Sequence, residues 1–312
     1  MHMTKTVFID GEAGTTGLEI GQRLRGLPGV AVRSLDAAAR RDRAARLAIM
    51  AAVDLVVLCL PDEAAREAAS MIEGLGAAAP KLLDASTAHR TAPGWVYGFA
   101  ELTAGQDREI AAASRVANPG CYATGAIALL RPLVDAGMIP ADHPLTIHGV
   151  SGYSGGGKAM IADHEQRGGP AFEIYSLSLN HKHIPEIVRH TGLTTRPIFV
   201  PSVGHFRQGM LVMVPLHLDA LPGRPTVREI GTVFDDYYHA TPHVRLRRPP
   251  ADQRLPAETL AGTDVMEIYV FENEAESQAL LVARLDNLGK GAAGAAVQNI
   301  GLMLDLPAPM DH

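Results

Sequence analysis

The sequence predicts an α/β protein in which a Rossmann-like, doubly wound parallel sheet is joined to an α+β domain with a mainly antiparallel sheet. Three observations carry this prediction. The first third of the chain alternates short strand patterns with helical ones, which is typical of parallel sheets. After Cys121 the apolar segments become longer and β-rich. Finally, 312 residues leave room for two domains, each with its own core.

The elements of the first domain follow one another with short links. KTVFID predicts a strand, and it is followed by a glycine loop and the helical pattern LEIGQRLRGL. VAVRSL predicts a second strand, and the Ala- and Arg-rich stretch from Ala37 to Ala52 predicts a helix. The run DLVVLCLP is typical of a strand buried on both faces. DEAAREAASMIEGL then predicts a helix and KLLDAS another strand.

The second domain is predicted from four β-rich segments: LTIHGVSGYSGGGK, RPIFVPSVGHF, MLVMVPLHL and DVMEIYVFENEAESQALLVARLDN. The Pro-rich stretch RPPADQRLPAE indicates an exposed loop. At the end, GAAGAAVQNIGLMLDL returns to a helical pattern.

Composition narrows the class of protein. The net charge of -6 gives no overall field that would recruit nucleic acid or an anionic membrane, and charges, Gly or Pro interrupt each apolar stretch well short of a membrane span. Two cysteines cannot form a disulfide framework, and no cluster has zinc spacing, so we expect no metal. The N-terminus enters a strand almost at once, leaving no room for a signal peptide. We expect a cytoplasmic protein with reduced thiols.

The glycine loop IDGEAGTTGLEI indicates a dinucleotide site. Gly11, Gly14 and Gly17 stand between the first strand and the first helix, with Thr15 and Thr16 among them. Glycines at this turn let a pyrophosphate approach the helix N-terminus closely. The spacing is G-x-x-G-x-x-G rather than the usual G-x-G-x-x-G, so it is the position in an alternating sheet that favours a dinucleotide over a simple turn.

The end of the second strand bears on which dinucleotide binds. Arg33, Ser34, Arg40 and Arg41 lie near this point, and Arg would accept a 2′-phosphate. Asp36 is the one acid in reach that would favour NAD. The pattern therefore favours NADP, and the alternative interpretation of each arginine is a solvated helix face.

Cys121 is predicted to open a helix. Asn118 is a good N-cap and Pro119 suits the first helical position, which would place Cys121 in the first turn. Backbone N–H groups and the helix dipole stabilise a thiolate there. A small buried cysteine is the alternative. Cys59, inside LVVLCLP, is interpreted as an inert core thiol.

A thiolate nucleophile needs an acid–base partner. His181 and His183 stand two residues apart in LNHKHIPEIV. A solvated turn and a metal pair are the alternatives, and no third ligand is apparent to support a metal. His205, in VGHFRQG, is interpreted as structural or substrate-lining.

Several motifs together resemble the N-acetyl-γ-glutamyl-phosphate reductase family, in its shorter form, across essentially the whole chain. These motifs are NPGCYAT, HKHIPEI, SGYSGGGK, DNLGKGAAGAAVQN, GEAGTTG, DASTAHR and YGFAEL. Ala100 departs from the family pattern, where a proline is expected. The resemblance implies NADPH-dependent reduction of N-acetylglutamyl 5-phosphate to the 5-semialdehyde with release of phosphate, in arginine biosynthesis.

Under this resemblance Cys121 attacks the acyl phosphate and forms a thioester, which hydride reduces, while a histidine moves protons. His183 is slightly favoured over His181 for that role. Cofactor binding is implied for Gly11, Gly14, Thr15, Thr16, Gly17, Ser34, Arg40, Ser86 and Asn299. Substrate binding is implied for Asn118, Ser151, Lys158 and Arg207. Thr87 follows Ser86 at a strand end, and residues 154–158 are expected to form an active-site loop.

If Asn299 faces the cofactor, the closing helix belongs to the first domain. We therefore expect residues 1–117 and 286–312 to form the NADP-binding domain, and residues 118–285 to form the catalytic and oligomerisation domain. The expected partners are the small-molecule substrate and inorganic phosphate. We also expect a homodimer or homotetramer through the antiparallel sheet.

Three alternatives remain at this point. An aspartate semialdehyde dehydrogenase would share fold and mechanism, but those enzymes usually carry Asn directly before the cysteine, where this chain has Gly120. An aminoadipyl reductase acting on an acidic carrier protein would need a basic rim, for which the run near Arg245 is the one candidate. A catalytically silent NADP sensor would have lost the nucleophile or its base.

Overall fold

The computed structural model describes residues 4–306 and divides the chain into two compact units. One unit holds the chain up to Pro119 together with the chain from Ala292 onward, and the other is Gly120–Gly291. The expected boundaries lay at 117/118 and 285/286. The Asn118 N–H bonds to the Asp84 carbonyl and so continues the first sheet. Asp286 accepts hydrogen bonds from Gln208 and Gly262, which ties its segment to the second unit.

The first unit is built on a six-stranded sheet of order β2-β1-β3-β4-β6-β5, in which every pairing is parallel. Its strands are β1 (Lys5–Asp10), β2 (Val30–Arg33), β3 (Leu55–Leu58), β4 (Lys81–Asp84), β5 (Val96–Tyr97) and β6 (Arg115–Ala117). Its helices are α1 (Thr15–Arg25), α2 (Arg43–Met50), α3 (Asp62–Glu73), α4 (Gln106–Ala112) and α9 (Gly294–Leu304).

Both faces of this sheet are covered, which the strand β3 shows directly. Leu55 and Val57 belong to a core cluster that includes residues of α1 and α9. Val56 and Leu58 belong to a second cluster with residues of α2 and α3. Because parallel strands are buried on both sides, the run is apolar throughout. The predicted doubly wound sheet is confirmed.

One predicted element of the first unit is broken in two. The stretch from Ala37 to Ala52 was expected to form one helix, but it forms a 3-10 turn at Ala39–Arg41 and then α2. Asp42 separates them, since its side chain accepts hydrogen bonds from the N–H groups of Ala44 and Ala45 and so caps α2.

The second unit is built on a seven-stranded mixed sheet of order β11-β12-β13-β10-β7-β9-β8, in which four of the neighbouring pairs are antiparallel. Its strands are β7 (Thr146–Gly152), β8 (Phe172–Ile174), β9 (Ile198–Gly204), β10 (Met210–His217), β11 (Val244–Arg247), β12 (Met266–Asn273) and β13 (Gln278–Leu285). Its helices are α5 (Cys121–Asp135), α6 (Gly157–Arg167), α7 (Ile184–Thr191) and α8 (Val227–Tyr238).

The core of the second unit lies between this sheet and α5. Gly125 of α5 lies against Val212 of β10, and a Cβ there would stand 2.7 Å from the valine side chain. The close approach explains why this helix carries a glycine in its middle despite the cost in helix propensity. Within residues 4–306, no helix is both long and apolar enough to span a bilayer.

Candidate active site

The glycine loop of the first unit leaves no space for side chains. Gly11 has φ +94°, and a Cβ on it would lie 2.3 Å from the Cys59 carbonyl oxygen. A Cβ on Gly17 would lie 2.5 Å from the Gly11 carbonyl oxygen. Gly14 is the N-cap of α1 and supplies no side-chain cap, so Thr15 and Thr16 open the helix with N–H groups that no capping side chain occupies. This cradle suits a pyrophosphate.

A pocket adjoins this loop and includes Asp10, Gly11, Leu35 and Arg40 in its wall. The Arg40 Nε donates to the Leu35 carbonyl, which fixes the base of the guanidinium while the residue remains exposed. Ser34 is also exposed, directly after β2.

Two acids near the pocket are already paired. Asp36 accepts a hydrogen bond from the Ala39 N–H at 2.8 Å and so begins the 3-10 turn. Asp10 is buried and accepts from Arg46, whose Nη2 lies 2.6 Å from Oδ2. Neither of these two acids pairs with Arg40, which leaves Arg40 as a cation in the wall of this pocket.

The end of β4 carries a hydrogen-bonded cluster around the fully buried Asp84. Ser86 donates to Asp84 from both its hydroxyl, at 2.7 Å, and its N–H. The Nδ1 of His89 lies 2.6 Å from the same carboxylate, and its ring stacks on Trp95 with 4.0 Å between centroids. Thr87 bonds to Asp62 instead. Ser86 was predicted to lie at this end of β4, but Asp84 and His89, which belong to the same DASTAHR motif, were not predicted as site residues.

Asn118 and Asn299 form a buried pair in the first unit. The Asn299 amide donates to the Asn118 Oδ1 at 3.0 Å and to the Gly98 carbonyl at 2.8 Å. Asn118 donates in turn to the Ala292 carbonyl. Asn299 is fully buried, and its Oδ1 has no hydrogen-bond partner within the described residues. Asn118 thus links its own segment to Ala292 and to Asn299 of α9. The ligand-binding roles expected of Asn118 and Asn299 stay predictions.

In the second unit, Cys121 is the first residue of α5, but the expected cap is wrong. The N-cap is Gly120, with φ -81° and ψ 145°, and no side chain caps it. Asn118 cannot serve because its backbone still follows the parallel sheet. Cys121 nonetheless stands at the first helical position, where the dipole and unpaired N–H groups favour a thiolate. The backbone of Gly291 passes beside it, since a Cβ there would lie 2.9 Å from the Cys121 Cβ.

Glu186 connects the start of α5 to a histidine. Its carboxylate is 1% exposed, and Oε2 accepts the Gly120 N–H at 3.1 Å. The other oxygen faces the His183 Nε2 at 3.9 Å. Sequence reasoning missed this residue, although it lies in the HKHIPEI motif already singled out.

The two predicted histidines are brought together and are both buried. Their ring centroids lie 4.7 Å apart at 87°. The His181 Nδ1 accepts the His183 N–H at 3.1 Å, and its Nε2 lies 3.4 Å from the Tyr175 hydroxyl. His181 therefore organises the backbone of the motif, while the His183 ring faces Glu186 and lies 6.0 Å from the ring of Tyr122.

Two tyrosines remain protonated in this region. Burial raises the pKa of Tyr122 far above its ordinary value, with Tyr175 and Cys121 adding to the shift. Burial likewise raises the pKa of Tyr175 to about 12. The Tyr122 hydroxyl donates to the Ser202 carbonyl at 2.7 Å. Both residues are thus neutral hydrogen-bonding groups beside the histidines.

The predicted substrate residues of the second unit lie in different settings. Ser151 is buried at the end of β7 and donates to the Gly152 carbonyl. Ser154 accepts from Asn287 at 2.9 Å. Lys158, in the first turn of α6, is exposed. Arg207 forms an ion pair with Glu165, so its guanidinium has a partner in the protein.

Between residues 4 and 306, no group of three or more His, Cys, Asp or Glu side chains is arranged to hold an ion. Cys59 and Cys121 are both outside disulfides.

Comparison with known proteins assigns the family. Residues 121–287 match the model of the semialdehyde dehydrogenase dimerisation domain. Over 310 residues the chain is 50% identical to an N-acetyl-gamma-glutamyl-phosphate reductase of Brucella suis, covering 97% of this chain and 99% of the relative. The protein of that name from Brucella melitensis matches to the same extent. The chain belongs to the N-acetyl-γ-glutamyl-phosphate reductase family.

Solved structures place the fold among the semialdehyde dehydrogenases. Aspartate semialdehyde dehydrogenase II of Vibrio cholerae aligns with a TM-score of 0.71 and 18% identity, covering 97% of this chain and 99% of that one. Aspartate semialdehyde dehydrogenase of Candida albicans, solved with NADP, aligns with a TM-score of 0.64 and 12% identity, covering 96% and 99%. At these identities the likeness establishes the fold.

Proposed function

We propose that this protein reduces N-acetyl-L-glutamyl 5-phosphate to N-acetyl-L-glutamate 5-semialdehyde with NADPH, as its relatives' name indicates. The observation that carries the proposal is the arrangement of Cys121, Glu186 and His183 in the second unit. The N–H of Gly120, directly before the Cys121 thiol, bonds to the buried Glu186 carboxylate, whose other oxygen lies 3.9 Å from the His183 Nε2. This arrangement supplies a nucleophile and a proton carrier.

The reaction at Cys121 proceeds by acyl transfer. The thiolate attacks the acyl carbon, the C–S bond forms, and the C–O bond to the phosphate breaks, so that phosphate leaves with its electron pair. NADPH, when bound, supplies the hydride that reduces the thioester carbonyl. The resulting thiohemiacetal collapses to the aldehyde and regenerates the thiolate. A proton must reach the oxygen of the thiohemiacetal and leave it again on collapse.

His183 is proposed as the group that moves this proton. Its Nε2 faces Glu186, which stabilises the imidazolium formed when the ring takes up a proton. Both ring nitrogens of His181 have partners, the His183 N–H and the Tyr175 hydroxyl. His181 is therefore proposed as a positioning residue rather than as the acid–base group.

The cofactor residues are proposed from the cradle and its pocket. Gly11, Gly14 and Gly17, with the N–H groups of Thr15 and Thr16, would hold the pyrophosphate. Arg40 and Ser34 would meet the 2′-phosphate, because Asp36 is engaged by the Ala39 N–H. Ser86 would meet the cofactor just after the carboxyl end of β4, where ligands of parallel sheets bind. The buried Asn299 Oδ1 would accept from the carboxamide.

Substrate anions are proposed to meet Ser151, Lys158 and Arg207. Lys158 is exposed, and Arg207 would exchange Glu165 for the substrate as its partner. Asn118 would act indirectly, since its amide is bonded to Asn299 and to the Ala292 carbonyl. We propose the cytoplasm, which supplies acyl phosphates and NADPH, as the location of the protein.

A homo-oligomer is proposed through the outer face of the second sheet. Phe172, Ile174 and Ile198 are 59%, 49% and 50% exposed. The register places all three on one face, because Ile174 pairs with Ser202 and Phe172 with Gly204. An exposed apolar face of this kind is typical of an interface. The matched family model describes a dimerisation domain, so we propose a homodimer as the minimal assembly.

The test is the reverse reaction. Purified protein, phosphate and N-acetylglutamate semialdehyde would be mixed with NADP or NAD, and the absorbance of the reduced nicotinamide followed. We expect reduction of NADP, with a loss of at least about 10³-fold in Cys121→Ser, since the nucleophile is removed. Turnover with aspartate semialdehyde alone would assign a different substrate. No turnover with either aldehyde, together with tight NADP binding, would contradict catalysis altogether.

A further inference from the structure

Asn287 forms a buried bridge between two segments of the second unit. It lies two residues after the end of β13 and is 1% exposed. Its Oδ1 accepts the Gly209 N–H at 2.9 Å, and its Nδ2 donates to the Ser154 Oγ at 2.9 Å. The side chain thus joins the turn between β9 and β10 to the loop after β7, and no step of the proposed reaction uses it.

The Asn287 amide can take only one orientation. A backbone N–H only donates, so the atom that faces Gly209 must be the amide oxygen. The amide nitrogen therefore faces Ser154, and because this nitrogen also only donates, the Ser154 Oγ must accept. The hydroxyl proton of Ser154 consequently points away from Asn287.

The neighbours of Asn287 hold the bridge in place. Asp286 is fully buried and accepts a hydrogen bond from the Gln208 Nε2 at 2.6 Å. Gly209 has φ +118°, and a Cβ on it would lie 2.3 Å from the Ala257 carbonyl oxygen. The chain before Asn287 and the turn that it contacts are thus both fixed by the protein itself.

The Ser154 hydroxyl keeps a proton to donate. Ser154 is 2% exposed, and among the residues that the structure describes its hydroxyl has one hydrogen-bond partner, the Asn287 amide, which cannot take the proton. A buried donor without an acceptor costs free energy. Gly155 and Gly156, directly after Ser154, are exposed, as is Lys158 in the first turn of α6. An anionic oxygen could accept from the hydroxyl and pair with this lysine.

The backbone around Ser154 is held without Asn287. The Ser154 N–H donates to the Arg207 carbonyl at 3.1 Å, and the Tyr153 N–H donates to the Phe206 carbonyl at 2.9 Å. These bonds fix the path of the loop. The contact from Asn287 instead fixes the direction in which the Ser154 hydroxyl can donate.

We propose that Asn287 is a positioning residue that turns the Ser154 hydroxyl toward an anionic oxygen of the substrate, to which Ser154 donates. N-acetylglutamyl 5-phosphate carries such oxygens on its phosphate and on its carboxylate. That the anion belongs to this substrate rests on the proposed function. The direction of the hydroxyl does not.

The experiment compares wild-type protein with Ser154→Ala, Asn287→Asp and the double variant. Asp keeps an acceptor for the Gly209 N–H, but its second oxygen accepts from Ser154 and so withdraws the proton from the ligand. Asn273→Asp is the matched control, because it adds the same charge at an exposed position of the same unit. The KM for phosphate and the KM for N-acetylglutamate semialdehyde are measured in the reverse reaction, together with amide exchange at Gly209.

We expect Ser154→Ala and Asn287→Asp each to raise the same one of the two KM values about tenfold or more, since a hydrogen bond to a charged group is lost. The other KM and kcat should change little. The double variant should match the single ones, because both changes remove one interaction. Protection of the Gly209 amide in Asn287→Asp should equal that of wild type. The KM that rises identifies phosphate or carboxylate as the partner of Ser154.

Four results would overturn the proposal: unchanged KM values in Ser154→Ala, additive effects in the double variant, lost Gly209 protection in Asn287→Asp, or an equal rise in Asn273→Asp. If Asn287→Asp does not fold, Asn287→Ala replaces it. That change adds no charge and lets the hydroxyl rotate, so we expect a smaller rise in KM that is absent in the Ser154→Ala background.

A binding measurement separates this proposal from the proposed function. Calorimetric titration with inorganic phosphate and with N-acetyl-L-glutamate repeats the comparison of the variants without turnover. We expect Ser154→Ala and Asn287→Asp to weaken the binding of one of these two anions by the same factor. If they do so but neither aldehyde turns over, the proposed function fails and the positioning role stands. Equal affinities in wild type and both variants would contradict the positioning role.

Discussion

Cys59 directly follows strand β3, whereas Cys121 opens helix α5. Cys59 packs against the core of the first unit, and the backbone of Gly11 lies against its carbonyl. Desolvation, together with the carboxylates of Asp84 and Asp10, raises the pKa of the Cys59 thiol to about 12. Cys121 instead has a helix N-terminus around it, with Glu186 bonded to the preceding N–H and His183 beyond.

The two cysteines differ in the backbone around each sulfur as well as in desolvation. Both residues are half-buried, but β3 uses its N–H groups within the sheet, while the first N–H groups of α5 have no acceptor within the helix itself. A thiol placed at a strand end among carboxylates is kept protonated, and one placed at a helix start is favoured as a thiolate. We therefore expect desolvation and local backbone direction together to separate the inert Cys59 from Cys121, the proposed nucleophile.

Removing the imidazole of His183 should have the largest effect. We expect His183→Gln to lower kcat by about 10²- to 10³-fold, since proton transfer is lost. His181→Gln should cost about tenfold or less, because it disturbs the contacts to the His183 N–H and Tyr175 but leaves the proposed proton carrier in place. Steady-state kinetics of both variants measures this order. A larger loss in His181→Gln would reverse the assignment.

Glu186→Gln should have a smaller, pH-dependent effect. Gln keeps an acceptor for the Gly120 N–H but removes the charge that faces His183. A carboxylate stabilises the protonated imidazole, so its loss lowers the pKa of the histidine. The acid limb of the kcat/KM profile should move to lower pH. Asp163→Asn, which removes a carboxylate paired with Arg167, is the control; an identical shift there would point to a general charge effect.

The smallest effect concerns Cys59. With a pKa of about 12, only about one thiol in 10⁴ is ionised at pH 8. Carbamidomethylation at that pH should therefore label Cys121 and leave Cys59 unmodified in the folded protein, as read by peptide mass. In urea both should react. Labelling of Cys59 first, under native conditions, would contradict the contrast between the two sites.

The sequence predicted those parts of the fold that depend on local pattern. The β3 run, the glycine loop and the helix after Cys121 follow from spacing and composition within about a dozen residues. The helix expected from Ala37 to Ala52 was not continuous, because Asp42 prefers to cap rather than to continue a helix. The cap before Cys121 was misplaced because hydrogen bonding of Asn118 to β4 is not visible in the local pattern.

The site depended on contacts between distant positions. Gly120 and Glu186 are separated by 66 residues. The spacing of its two histidines indicated HKHIPEI as a candidate motif, but it could not distinguish His181 from His183. Nor could it show that Glu186 accepts the N–H of Gly120 at the start of α5. That distinction needed the direction of each ring, which only packing determines.

Helix α9 has a consequence for how this chain is made. Ala296, Ile300 and Met303 complete a core cluster with Ile9 and Val57, and Lys81 bonds to the Met303 carbonyl. During translation the six parallel strands leave the ribosome by residue 117, yet the sheet face that α1 and α4 partly cover is completed only when α9 emerges. Residues 120–291 form one continuous unit, so the folding of that unit does not depend on a segment synthesised after it. The part synthesised first is thus the last to finish folding, which reverses the usual order of N-terminal domains.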